Sequence, residues 1–171
     1  MSYYPDLSRY AYGAGYAYRS GTVNVGWLAS KHAFEEEEPP EDVLNRLWAF
    51  CKVSINQTRG FFECEFCKQD GNYAERAGEA LLLGTSEIRV FSSGPAIYAA
   101  PTLILHYVED HKYKLPEPFI LALRECPHPT SAEYRERLRD LDLEWNPTYT
   151  PSPDDERFQA WLRDRSSGAA L

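Results

Sequence analysis

Two short stretches of this chain carry side chains that could do chemistry together. ECEFCKQDG, residues 63–71, places Cys64 and Cys67 two residues apart in a chain with only four cysteines. HYVEDH, residues 106–111, places His106 and His111 at an H-x4-H spacing. A CxxC at a strand-to-turn knuckle aims two thiolates at one point, and a zinc ion completes its tetrahedron with two further nitrogen or sulfur ligands. The two histidines supply that pair, at a spacing within the range of three to five intervening residues that zinc-finger helices use. A redox CxxC opens a helix in a βαβ context, whereas this one follows the strand-like FFEC and runs into the polar turn KQDG. The reading is therefore a Cys2His2 set, Cys64, Cys67, His106 and His111, holding one structural zinc ion, with iron the second choice. Four protein ligands close the tetrahedron and leave no position for water, which predicts a staple and assigns no catalytic residue. Such a staple contributes on the order of 10 kcal/mol to folding.

One geometric demand follows. Five residues along an ideal helix turn the second imidazole about 140° from the first. The helix is expected to loosen near His111, with Pro116 just beyond it. The alternative function is a zinc-dependent hydrolase built on HYVEDH. One histidine would leave the metal, Glu109 or Asp110 would act as general base, and Tyr107 or Tyr113 would steady an oxyanion. Otherwise both acids are expected to be exposed on the helix. GxSxG, HExxH and phosphate-binding glycine loops are missing from the sequence. In CPHP, Cys126 and His128 lie two apart on a proline-flanked loop, which reads as a turn and not as a nucleophile and base.

The elements that must position these residues are legible in outline. TVNVGWL (22–28) alternates as a strand. A helix is predicted from Pro39 and Pro40 through Cys51, with Leu44, Leu47, Trp48 and Cys51 at the spacing of a buried stripe. FFEC, ALLLG, SEIRVF and AIYAA read as short strands of an antiparallel meander, with SSGP a turn between the last two. Pro101 is placed in the first turn of the histidine helix, and PEPFILALREC forms the next one. Thr130 and Glu133 suggest a capping box before Tyr134, Leu138 and Leu141. Ser152 and Pro153 open a last helix carrying Phe158, Trp161 and Leu162 on one face. The expected fold class is α+β: a short antiparallel meander packed with four or five helices and stapled by the metal. Residues 1–145 are assigned to one domain, and 146–171 to a linker, an amphipathic helix packing on it and a frayed tail.

Composition narrows the function. With 171 residues, 43% of them hydrophobic, the chain can bury a real core. Its net charge of −8 is spread along the sequence, so no basic half exists to track phosphates and nucleic acid is an unsuitable partner. MSYYPDLSRYAYG lacks the charged leader and apolar core of a signal peptide, and no stretch is long enough for a membrane span. A cytoplasmic protein with reduced thiols is expected. YAYGAGYAY carries alternating tyrosines, Tyr12 and Tyr16 among them, which form either a ligand-stacking surface or an aromatic face packed on the domain. The acidic run Glu35, Glu36, Glu37 and Glu38 is either a docking patch or a solvated lead into the helix. Together these features favour a small acidic binding protein whose partner is a basic protein, for example a toxin domain that it neutralises.

The sequence also resembles a family of uncharacterised bacterial proteins in which a YYPDLS-type segment and a VGWL strand precede a CxxC, a strand like SEIRVF and a segment like YAAPTLILHYVEDHKYKLPEPF. The resemblance covers roughly residues 3–124, and its most distinctive part runs from Ala100 to Phe119. It implies that Cys64, Cys67, His106 and His111 belong together, and it adds no reaction.

Overall fold

A computed structural model describes residues 3–11, 21–58, 60–67 and 72–166. The elements in chain order are β1 (Thr22–Asn24), α1 (Glu41–Cys51), β2 (Val53–Ser54), β3 (Tyr73–Arg76), β4 (Glu79–Leu82), β5 (Glu87–Phe91), β6 (Ile97–Pro101), α2 (Ile104–His111), α3 (Glu117–Glu125), α4 (Ala132–Asp140), β7 (Asn146–Pro147) and α5 (Glu156–Ser166). The class is α+β. The strands do not form one meander, however. β5 and β6 pair antiparallel about the SSGP turn, β1 adds to β6 in parallel, and β3–β4 forms a separate hairpin. FFEC is not a strand, while β3 lies in NYAER, which had offered no strand signal.

β5 is the centre of the molecule, since all five of its residues are buried. Ile88 and Val90 alternate with Glu87, Arg89 and Phe91, so the strand has partners on both faces. α1 and α3 pack against it. The α1 stripe of Leu44, Leu47, Trp48 and Cys51 is buried as its spacing predicts, and Pro40 stands at the N-cap. Arg46 reaches from α1 to the carbonyls of Leu123 and Cys126, satisfying the end of α3. Tyr10 covers the Glu87 and Arg89 side: its hydroxyl donates to the Glu87 carboxylate at 2.9 Å, and Arg89 lies 4.8 Å from its ring centre.

Helix starts differ in detail from those read off the sequence. Pro101 ends β6 and does not open α2. α4 is capped by Ser131, whose hydroxyl accepts from Tyr134 N, because the Thr130 hydroxyl is occupied by His128 Nδ1 at 2.8 Å. α5 is capped by Asp155, whose carboxylate accepts from the N–H groups of Arg157 and Phe158. The stretch 145–153, expected as a linker, lays Asn146 and Pro147 against β2 and sends the Thr148 hydroxyl to Cys51 O. α5 then packs Phe158 and Trp161 on Tyr73 of the hairpin. No helix among the described residues is long and apolar enough to cross a membrane.

Candidate metal centre

The cysteine loop is held from two sides. Phe62 N–H donates to Gly84 O at 2.9 Å, and Gly84 sits at φ +84°, where a Cβ would lie 2.4 Å from Phe62 O. Glycine is required at this close approach. Buried Asn72 completes the clamp: its Oδ1 accepts from Cys64 N at 3.1 Å and its amide donates to Phe62 O. Phe66 N–H points back at Cys64 Sγ, 3.4 Å away, while its ring packs on Tyr107 and His111.

The histidines come from α2. His106 is buried on the first turn, and His111 is the last helical residue. Lys112 then takes the left-handed conformation at φ 54°, and Tyr113 N–H bonds back to Tyr107 O. Ending the helix at His111 meets the five-residue mismatch, because a terminal side chain can swing towards the first ring. His106 Nε2 and His111 Nε2 lie 3.2 Å apart. Cys67 Sγ is 3.2 Å from the first and 3.1 Å from the second, and Cys64 Sγ is 3.3 Å from His111 Nε2. All four donor atoms fall within 4.8 Å of one another. A tetrahedron with bonds of roughly 2.0–2.3 Å has edges of about 3.3–3.8 Å. The four residues are thus close enough to hold one metal ion.

Electrostatics point the same way. The Cys64 thiol is held far below its ordinary value, first by its hydrogen bond with Cys67 and then by the two imidazoles. Cys67 moves in the opposite direction, pushed up first by that same bond to Cys64. These opposed shifts mark two sulfurs close enough that charge on one disfavours charge on the other, a cost that a divalent cation between them would remove. Burial opposes charge on His106, yet its hydrogen bond to Asp110 and the neighbouring Cys64 outweigh it and raise its pKa to about 9.

Asp110, read from the sequence as a general base or an exposed acid, instead holds His106. Its Oδ2 lies 2.7 Å from His106 Nδ1, the nitrogen on the side of the ring away from the cysteines. The signal was present, since residues four apart share a helix face. This bond fixes the proton on Nδ1 and turns Nε2 towards the sulfurs. Asp110 is not the exposed acid expected: its side chain is 29% accessible, and Arg165 of α5 stands 3.5 Å from its other oxygen. Asp110→Ala is expected to weaken metal affinity about 10- to 100-fold, and Asp110→Asn less, because its carbonyl still accepts from Nδ1. Competition with a chromophoric chelator measures both; unchanged affinity in the alanine variant would remove Asp110 from the centre.

The other chemistry-bearing residues lie elsewhere. Glu109 is half-buried, and burial raises its pKa, with Asp110 adding to the effect. Cys51 donates to Thr102 O in the core, and Cys126 Sγ accepts from Phe91 N, apart from the His128–Thr130 contact. Glu35, Glu36 and Glu37 run antiparallel beside residues 112–114. Lys114 pairs with Glu35 and Glu37, and Lys112 with Glu38. Tyr12 and Tyr16 lie outside the described residues.

Among known proteins, no curated protein and no solved structure matches the chain. The family described as Domain of unknown function (DUF7919) matches residues 2–124, a span that contains Cys64, Cys67, His106, His111, Asn72 and Asp110, and the chain belongs to that family.

Proposed function

We propose that this protein is a small acidic binding protein whose fold is stapled by one structural zinc ion and whose partner is a basic protein. The carrying observation is the convergence of two sulfurs and two imidazole nitrogens, from segments far apart in sequence, within 4.8 Å. Two sulfurs and two nitrogens in a tetrahedron are a donor set that structural zinc takes, which favours zinc over iron. Asp110 supports a structural role over hydrolysis, because it meets the Nδ1 edge of His106 and so faces away from the point where the donors converge. Four cysteines without a disulfide suit a reducing, cytoplasmic setting. Glu35, Glu37 and Glu38 pair with Lys114 and Lys112 through exposed contacts, which contribute little in water and which a basic partner could exchange for its own.

Metal analysis tests the staple. Protein isolated without chelator is expected to carry about one equivalent of zinc, and cobalt substitution is expected to give the absorption of a tetrahedral thiolate site. A folded protein without metal, or a cobalt spectrum of six-coordinate type, would overturn it.

A further inference from the structure

Away from the cysteines an open pocket of about 350 Å³ lies between the N-terminal segment, the loop of residues 28–35 and the chain after α2. Two of its lining rings, Tyr3 and His32, stack on each other with ring centres 3.6 Å apart and planes 4° from parallel. Tyr4 and Phe34 add further ring surface, and buried Tyr113 lies below, with Phe34 edge-on to it at 5.7 Å. Three carboxylates stand around this aromatic lining, Asp6, Glu35 and Glu117, against one ammonium, Lys114. Lys114 is already engaged by Glu35 at 3.2 Å and Glu37 at 3.9 Å. Asp6 is held in place by the Tyr113 hydroxyl at 2.6 Å and the Gly26 N–H at 2.9 Å, both donating to its carboxylate.

Aromatic faces present negative charge to a ligand, and the carboxylates present more. An anion would meet both unfavourably, and a neutral apolar ligand would gain nothing from the carboxylates. We propose that this cavity binds an organic cation, a guanidinium or alkylammonium group on an apolar stem. The volume lies at the small end of ligand cavities, which suits one such group and not an extended molecule. The cation can be a free small molecule or a basic side chain of a protein. The proposal rests on the basic-partner part of the reading above, to which it assigns a place and a chemistry, and it does not depend on the metal.

The test is calorimetry on the full zinc-loaded chain with two probes, agmatine and a short arginine-containing peptide, with a glutamate peptide as control. Glu117→Gln and Tyr3→Ala alter the cavity, whereas Glu36→Gln and Glu38→Gln alter the acidic run outside it; circular dichroism confirms that each variant is folded. Binding of either probe, weakened at least about fivefold by both cavity variants and unchanged by the other two, is the expected result. Agmatine binding identifies a free cation as sufficient, and binding of the peptide alone identifies a side chain of a partner. Peptide binding that only Glu36→Gln and Glu38→Gln weaken would sink the cavity and leave the partner reading standing. If neither probe binds at millimolar concentration, the cavity proposal falls, and the basic-partner reading then stands or falls on whether a folded basic protein binds the acidic run 35–38.

Discussion

Cys64→Ala or His106→Ala is expected to lose the metal and to leave the protein largely unfolded at ordinary temperature. Structural zinc contributes apparent binding energies of about 10–16 kcal/mol, against a net stability of roughly 5–15 kcal/mol for a whole domain. The four donors join the loop after Gly84's contact to the end of α2, so their loss frees both segments together. Cys51 and Cys126 provide the controls. Both are buried, with Cys51 against Thr102 O and Cys126 under the Phe91 amide, so alanine there costs some packing but removes no ligand. Circular dichroism and zinc content, with and without chelator, separate the two groups. Metal retained by Cys64→Ala, or lost from Cys51→Ala, would show that the donors have been wrongly chosen.

The second large effect is expected in the middle of β5. Glu87 and Arg89 are 3% and 1% accessible, and they pair at 2.6 Å. Tyr10 OH adds a hydrogen bond to the same carboxylate, yet Arg89 Nη2 has no hydrogen-bond partner among the described residues. Removing one member leaves an uncompensated buried charge, so Arg89→Met or Glu87→Leu alone is expected to cost about 3–5 kcal/mol in urea unfolding. Replacing both is expected to cost much less, because the desolvation of two ions disappears with their attraction. If the double variant were as unstable as the sum of the singles, the pair would not be acting as one unit. The same network pushes the Tyr10 phenol well above its ordinary value, chiefly through burial and then through the Glu87 charge.

Much of the local architecture was legible because it depends on neighbours in the chain. Leu44, Leu47, Trp48 and Cys51 recur at helical spacing and are buried together on α1. SEIRVF and AIYAA flank a turn, and they pair in register from Glu87 opposite Pro101 to Phe91 opposite Ile97. The two cysteines and two histidines announced themselves by type and spacing. Errors arose where two local signals competed. Thr130 and Ser131 are both good caps, and the choice fell to Ser131 once His128 had engaged Thr130. Ser152 and Asp155 present the same ambiguity, settled by the two amides that Asp155 accepts. FFEC has strand composition, but Asn72 and Gly84, both outside the short window that a strand signal reads, hold it as a loop.

Residue types, helical stripes and ligand spacing are properties of short windows, so the amino-acid order alone specified the donor set and most helices. Features that join distant windows came from packing. β1 pairs in parallel with β6 across more than seventy residues, as Val23 opposite Tyr98 shows. Asp110 looked like a solvated acid until the burial of His106 gave its carboxylate a nitrogen to hold. Glu87 and Arg89, two apart on a strand, carry no sequence signal of burial, yet they pair with each other under Tyr10. The reason is common to all three: a polar group's role depends on how much water its surroundings leave it, and that is decided by chain segments far away in sequence.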